Sequence, residues 1–225
     1  VIGTLNVLQA ARDAGVGRLV LTSTSEVYGT AVRVPQDEQH PQVAQSPYSG
    51  SKIGADKLAE SFHRSFGIPV VTVRPFNTFG ERQSRRAVIP TIIAQLLSES
   101  GRLRLGSMTP TRDMNYVSNT VDGFMLAGSV PGIEGRTINL GSGREIEIGE
   151  LAVLIRLLMG VTMVVGDADP ERVRPEASEV DRLCCDNTLA RELLGWEPRV
   201  SLEDGLLATI EWWRGRPERE RATDY

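Results

Sequence analysis

The pair of residue types best placed for chemistry is Tyr48 and Lys52, in the stretch Tyr48-Ser49-Gly50-Ser51-Lys52. At a spacing of four they share one face of a helix. A free tyrosine is a poor base at neutral pH, and a neighbouring ammonium favours its phenolate. Such a phenolate can take a proton from a hydroxyl while hydride leaves the same carbon. Alone, the pattern is weak, because many surface helices carry it by chance. Two further blocks give it context: Thr22-Ser23-Thr24-Ser25-Glu26-Val27-Tyr28-Gly29 upstream and Arg74-Pro75-Phe76-Asn77-Thr78-Phe79-Gly80 downstream.

The elements around these blocks place them at one sheet edge. Ile2 to Ala14 carries an apolar stripe at Leu5, Val7, Leu8 and Ala11, and Gly15 and Gly17 stop it. Arg18 to Ser23 reads as a buried parallel strand. Residues 30–47 are polar and proline-bearing, hence a loop. Tyr48 to Phe66 is a second long helix ended by Gly67, and Val70 to Val73 is a strand terminated by Arg74-Pro75. Helix, strand, loop, helix, strand is the alternation of an α/β doubly wound parallel sheet. Ligands in such sheets sit at the carboxyl ends of the strands. From Gly80 the pattern loosens. Helices are expected at 87–97, 121–127, 148–159, 187–194 and 202–214, with a strand at 137–140 and a charged, fraying tail from Gly215. The expected division is 1–81, part of a Rossmann-like domain, and 82–225, mainly a smaller C-terminal substrate-binding lobe with segments returning to the sheet.

The chain has 225 residues, net charge −4 and 40% hydrophobic residues. That is ordinary globular composition, with no general attraction for nucleic acid and no run long enough to span a bilayer. The two cysteines, Cys184 and Cys185, are adjacent in sequence. They point to a reduced, cytoplasmic setting. With His40 and His63 they form no zinc spacing, so no metal is expected. Ser142, in a Gly-Ser-Gly turn, is structural, since the nucleophile pattern Gly-x-Ser-x-Gly is not met. Of Trp212 and Trp213, one is expected to pack and the other to be half exposed.

In this order and spacing, the three blocks resemble the extended short-chain dehydrogenase/reductases. These include nucleotide-sugar epimerases, 4,6-dehydratases and decarboxylases. The likeness covers the whole chain, including Arg112-Asp113 with Tyr116-Val117, Asn139 to Gly143, and Leu193 to Trp196. Gln45 to Tyr48, Arg85 to Pro90 and Ser178 to Val180 are most similar to the N-acetylglucosamine-nucleotide 4,6-dehydratases of bacterial legionaminic acid synthesis. The resemblance implies roles by position. Thr24 matches the hydroxyl bonded to the sugar C4 oxygen, and Tyr48 the base that starts C4 oxidation. Lys52 matches the residue that favours the tyrosinate and holds the nicotinamide ribose. Thr22, Ser23 and Pro75 join Tyr48 and Lys52 as contacts of the implied cofactor, NAD. Glu26 matches the carboxylate that removes the C5 proton. Ser25 stands at the catalytic position where many sugar dehydratases carry an aspartate to protonate the leaving C6 hydroxyl. Here Glu26 has to return that proton, or another group supplies it. Asn77, Arg86, Arg112 and Arg174 match contacts of the sugar diphosphate, with Arg85 a further candidate, and Glu179 faces the nucleotide ribose. Guanidinium groups suit a diphosphate because they donate two parallel hydrogen bonds.

The implied reaction is redox-neutral. Hydride passes from C4 to NAD, water is lost across C5 and C6, and hydride returns to C6. The implied substrate is a GDP- or UDP-linked N-acetylhexosamine. Thr-Ser-Glu also resembles GDP-mannose dehydratases and UDP-glucuronate decarboxylases, so a decarboxylase stays open as a rival. A 4-epimerase is another, although Glu26 argues against one, since epimerisation needs no C5 base. A rival of another class is an inactive remnant with a scaffold role. The family's Gly-x-x-Gly-x-x-Gly phosphate loop and its ribose-binding acid are nowhere in the chain. A 5′-truncated frame, missing the N-terminal part of the sheet and binding NAD poorly alone, is therefore expected. A homodimer through helices 2–14 and 48–66 is also implied.

Overall fold

The computed structural model describes residues 1–98, 102–162, 164–165 and 179–216. The chain opens with α1 (Ile2–Ala14), β1 (Leu19–Thr22), a 3-10 turn (Ser25–Tyr28), α2 (Pro47–Phe66), β2 (Val70–Pro75) and β3 (Asn77–Phe79). It continues with α3 (Val88–Leu97), β4 (Arg102–Leu103), β5 (Thr111–Tyr116), α4 (Val117–Ser129) and β6 (Thr137–Leu140). Last come β7 (Glu145–Glu147), α5 (Ile148–Met159), β8 (Val164–Val165), α6 (Thr188–Leu194) and α7 (Leu202–Arg214).

β1, β2 and β6 form a parallel sheet, with Leu19 opposite Val70 and Pro75 opposite Leu140. Successive residues of a strand face opposite sides, and here both sides are apolar. Val70 packs with Leu8 of α1 and with Ala59 and Phe62 of α2, while Val71 and Val73 pack with Ala127 of α4 and with Ala190 and Leu194 of α6. Helices on both faces of a parallel sheet make a Rossmann-like α/β fold. A second sheet, β3-β5-β7, carries α3, α5 and α7 on a core of Phe79, Ile92, Ile93, Leu151, Ile155, Leu206 and Trp213. Trp213 is buried and Trp212 partly so. No helix among the described residues is long and apolar enough to cross a membrane.

Local chemistry explains the boundaries. Ser46 and Ser49 form a reciprocal cap at the start of α2, Pro47 sits in the first turn, and Gly67 closes the helix at φ 66°. Behind the sheet end lies a buried polar network. The Arg74 guanidinium donates to Asp56 Oδ2 through Nε at 3.0 Å and Nη2 at 2.9 Å, and its Nη1 donates to Tyr28 Oη at 2.9 Å. The Tyr28 hydroxyl donates to Asn139 Oδ1 at 2.7 Å. Burial pushes the Tyr28 phenol up to about 12, so it stays protonated. The network ties α2, β2, β6 and the 3-10 turn to one another.

Several elements depart from the sequence pattern. β2 does not stop at Arg74-Pro75 but includes both, because Asp56 and Tyr28 satisfy the guanidinium and a terminal proline needs no amide partner. β5 is a strand although Thr-Arg-Asp-Met-Asn-Tyr is polar, since its side chains find specific partners. Thr111 donates to Glu145 at 2.7 Å and Asn115 to Thr120 at 3.2 Å. α4 is longer at both ends than the expected 121–127.

Candidate active site

The 3-10 turn presents the first group of residues. Thr24, buried, caps it by accepting from the Glu26 amide at 3.2 Å. Ser25 is buried beside it and Glu26 is half-buried. α2 supplies the second group. Lys52 Nζ donates to the Thr22 carbonyl at 2.8 Å, which holds the first turns of α2 to the carboxyl end of β1. Thr22 is exposed, and Tyr48 is 54% exposed. Ser23 donates its amide to Val73 at 2.7 Å, and its buried Oγ has no partner. Pro75 ends β2 opposite Leu140. An orphan hydroxyl and an ammonium at a strand's carboxyl end are groups that could hold a polar ligand where such sheets bind one.

Most of the residues expected on the substrate side meet in a cavity of about 350 Å³. Glu26, Asn77, Arg86, Arg112 and Glu179 all line it, so five of the residues named from the sequence are brought together. Arg112 is buried. Its Nη2 donates to Glu179 Oε1 at 3.0 Å and its Nη1 to the Thr111 carbonyl at 2.8 Å, a pairing the sequence did not suggest. Arg86 is exposed at the rim. Arg85 faces elsewhere, its guanidinium 5.8 Å from the Trp213 ring centre. Arg174 lies outside the described residues.

Asp113, next to Arg112, fixes the neighbouring turn. Its carboxylate accepts from Ser142 N at 2.7 Å, Ser142 Oγ at 2.6 Å, Gly143 N at 2.9 Å and Cys185 N at 3.0 Å. Burial pushes its carboxyl up and these donors pull it back. Ser142 is thus a turn-holding residue. A Cβ at Gly141 would lie 2.4 Å from Cys185 Cβ, so only glycine fits there. Burial raises Cys184 to about 11 and Cys185 well above the usual thiol value, which makes both poor nucleophiles.

Gln83 is a lining residue the sequence reading missed. A lone glutamine in a loop carries no spacing signal. A larger cavity, about 470 Å³, lies farther along α2 among Glu38, His40, Asp56, Glu60, His63 and Arg74. It contains none of the Thr24, Glu26, Tyr48 and Lys52 set. Many of its charges pair with one another, Arg74 with Asp56 and both Lys57 and Arg64 with Glu60.

Comparison with known proteins bears on this arrangement. Residues 1–209 match the family model for GDP-mannose 4,6 dehydratase. The chain is 32% identical over 222 residues to a UDP-glucose 4-epimerase of Mycolicibacterium smegmatis, covering 97% of this chain and 69% of that protein. It is 37% identical over 227 residues to UDP-glucuronic acid decarboxylase 5 of Arabidopsis thaliana, covering 96% of this chain and 63% of that one. Among solved structures it superposes on a dTDP-glucose 4,6-dehydratase of Bacillus anthracis in complex with NAD. There the TM-score is 0.87 at 27% identity, over 95% of this chain and 67% of the other.

Proposed function

We propose a specific reaction for this chain, which belongs to the GDP-mannose 4,6 dehydratase family of NAD-dependent nucleotide-sugar enzymes: 4,6-dehydration of a GDP- or UDP-linked N-acetylhexosamine. The observation that carries the reading is Glu26 in the same cavity as Arg112 and Glu179, a carboxylate beside a diphosphate-suited guanidinium. Tyr48 takes the C4 hydroxyl proton while Thr24 bonds that oxygen. Lys52, on the same helix face, holds the ribose of the nicotinamide. Bound NAD supplies a reversible hydride acceptor. Once C4 is a ketone, the C5 proton is acidified, Glu26 removes it, and the C6 hydroxyl departs with a proton delivered from Glu26. Arg112, aided by Arg86 and Arg174, holds the diphosphate, and Glu179 takes the nucleotide ribose.

The N-acetylhexosamine assignment rests on Gln45 to Tyr48, Arg85 to Pro90 and Ser178 to Val180, similar to the legionaminic-type dehydratases. A second reading, 4-epimerase or uronate decarboxylase, is favoured by the identities to those two enzyme types. The enzyme works as a homodimer through α1 and α2. Val7 on α1 and Phe66 on α2 are large exposed apolar groups in support of this. Light scattering reporting only monomer would remove that part.

The test of the reaction uses the whole protein. It is incubated with NAD⁺ and GDP- or UDP-N-acetylglucosamine, and the product mass is read. Loss of one water is expected. An unchanged mass with inverted C4, or loss of carbon dioxide from a uronate, moves the assignment to the second reading.

A further inference from the structure

Arg86 stands at the rim of the cavity that holds Arg112 and Glu179, on an exposed stretch of chain between β3 and α3. The backbone beneath it is a tight turn. The Ala87 amide donates to the Ser84 carbonyl at 2.9 Å, which makes Arg85 and Arg86 the two central residues of that turn. Their side chains go to different places. Arg86 lines the cavity, whereas Arg85 is half-buried in a separate recess with Arg82, Trp212 and Trp213. The Arg85 guanidinium lies 5.8 Å from the centre of the Trp213 ring, within the range at which an indole face attracts a cation. Trp213 is 2% exposed and packed into the core beneath α3, α5 and α7, so its ring is a fixed point. Gln83, whose Nε2 donates to the Thr78 carbonyl at 2.9 Å, lines both the cavity and the recess. Thr91 Oγ1 donates to the Arg85 carbonyl at 2.8 Å. A turn held by one carbonyl can still pivot about it. The contact with Trp213 supplies a second fixed point, one residue from Arg86.

We infer that Arg85 is a positioning residue. By resting its guanidinium on Trp213 it sets the Ser84–Ala87 turn, so that Arg86 meets the ligand's diphosphate from a backbone already in place. Arg85 itself touches no part of the ligand. The inference rests on the reading of Arg86 as a diphosphate contact given above. It differs from a simple charge effect in one respect. A cation that attracts the diphosphate from a distance acts whether or not Arg86 is present, whereas a positioning residue acts only through Arg86.

The test is a double-mutant cycle read by calorimetric titration of the whole protein with UDP and with GDP. The proteins are the unaltered one, Arg85→Met, Arg86→Ala, the two combined, and Arg85→Lys. Arg86→Ala is expected to weaken diphosphate binding about tenfold, the scale of a charge-assisted hydrogen bond. Arg85→Met is expected to weaken it about two- to fivefold when Arg86 is present, the scale of one cation–π contact, and less than about 1.5-fold when residue 86 is already alanine. Arg85→Lys keeps a cation over the ring and is expected to recover most of the affinity. Equal losses from Arg85→Met in both backgrounds would mean direct attraction or a general loosening of the fold, and would overturn the inference. So would no loss when Arg86 is present. Arg85→Gln repeats the cycle if the methionine variant melts early. If Arg86→Ala leaves the affinity unchanged, the diphosphate role of Arg86 is what fails, and the inference falls with it. If the unaltered protein binds neither UDP nor GDP, the nucleotide-sugar reading itself falls.

Discussion

The cavity around Arg112 and the β1–α2 edge are built in opposite ways. The cavity gathers Glu26, Asn77, Arg86, Arg112 and Glu179 from five separate stretches, and its central guanidinium is buried and paired. The edge that carries Thr22 and Tyr48 is exposed, with Lys52 resting on a backbone carbonyl. The cavity thus draws on groups from distant stretches, with a buried ion pair at its centre, whereas the edge sets groups of two neighbouring elements at the surface. Both hang on the same support. The Arg74–Asp56–Tyr28–Asn139 network joins the helix of Tyr48 and Lys52 to the turn of Thr24 and Glu26.

The sharpest way to break this picture is to remove the shared support. Arg74→Met leaves the Asp56 carboxylate buried without its partner. A loss of about 3–5 kcal/mol is expected, the usual cost of breaking a buried pair from one side. In differential scanning calorimetry that is a fall of roughly 6–20 °C at this chain length. A change of only a degree or two would show that the network is not the common support.

Next in size is an alkaline effect. The Tyr28 phenol keeps its proton to about 12 in the folded chain, against 10.0 for an ordinary tyrosine. Between those values the folded state holds the extra proton, so stability falls as pH rises through that window. The full span is on the order of 2–3 kcal/mol. Urea titrations of Tyr28→Phe are expected to show a flatter alkaline slope. A residual slope should remain, because Tyr116, which donates to Glu81, is also raised to about 12. An unchanged slope would place the alkaline sensitivity elsewhere.

The smallest effect belongs to the exposed edge. Tyr48→Phe is expected to change stability by less than about 0.5 kcal/mol. Affinity of the chain for nucleotide sugars should also hold, while turnover of the whole protein with NAD⁺ is abolished. If affinity for the nucleotide sugar fell sharply, the division between the buried, paired cavity and the exposed edge would have to be redrawn.

Much of this architecture was legible in the residues, and the illegible parts share a cause. α1, α5 and α7 fall where apolar periodicity and glycine stops place them, because burying a stripe leaves a regular trace in sequence. β3 and β7 escaped notice at three residues each, too short for any alternation to emerge. β5 was hidden because Arg112, Asp113 and Asn115 are buried polar residues whose partners Glu179, Ser142 and Thr120 lie far away or in other elements. The same applies to the site. Tyr48 and Lys52 stand out by type and spacing, and Thr24 and Glu26 through the resemblance of their block to a known family. The pairing of Arg112 with Glu179, 67 positions apart, and the orientation of Gln83 are set only by tertiary contact.

The central claim is that the cavity around Arg112 holds the diphosphate of a nucleotide sugar. Titrating the chain and its Arg112→Ala variant with UDP- and GDP-N-acetylglucosamine tests it directly. Saturable binding to the unaltered chain is expected, weakened about 10- to 100-fold in the variant, as befits a lost charge-assisted hydrogen bond. Equal affinity in the two proteins, or no binding to either, would contradict the account.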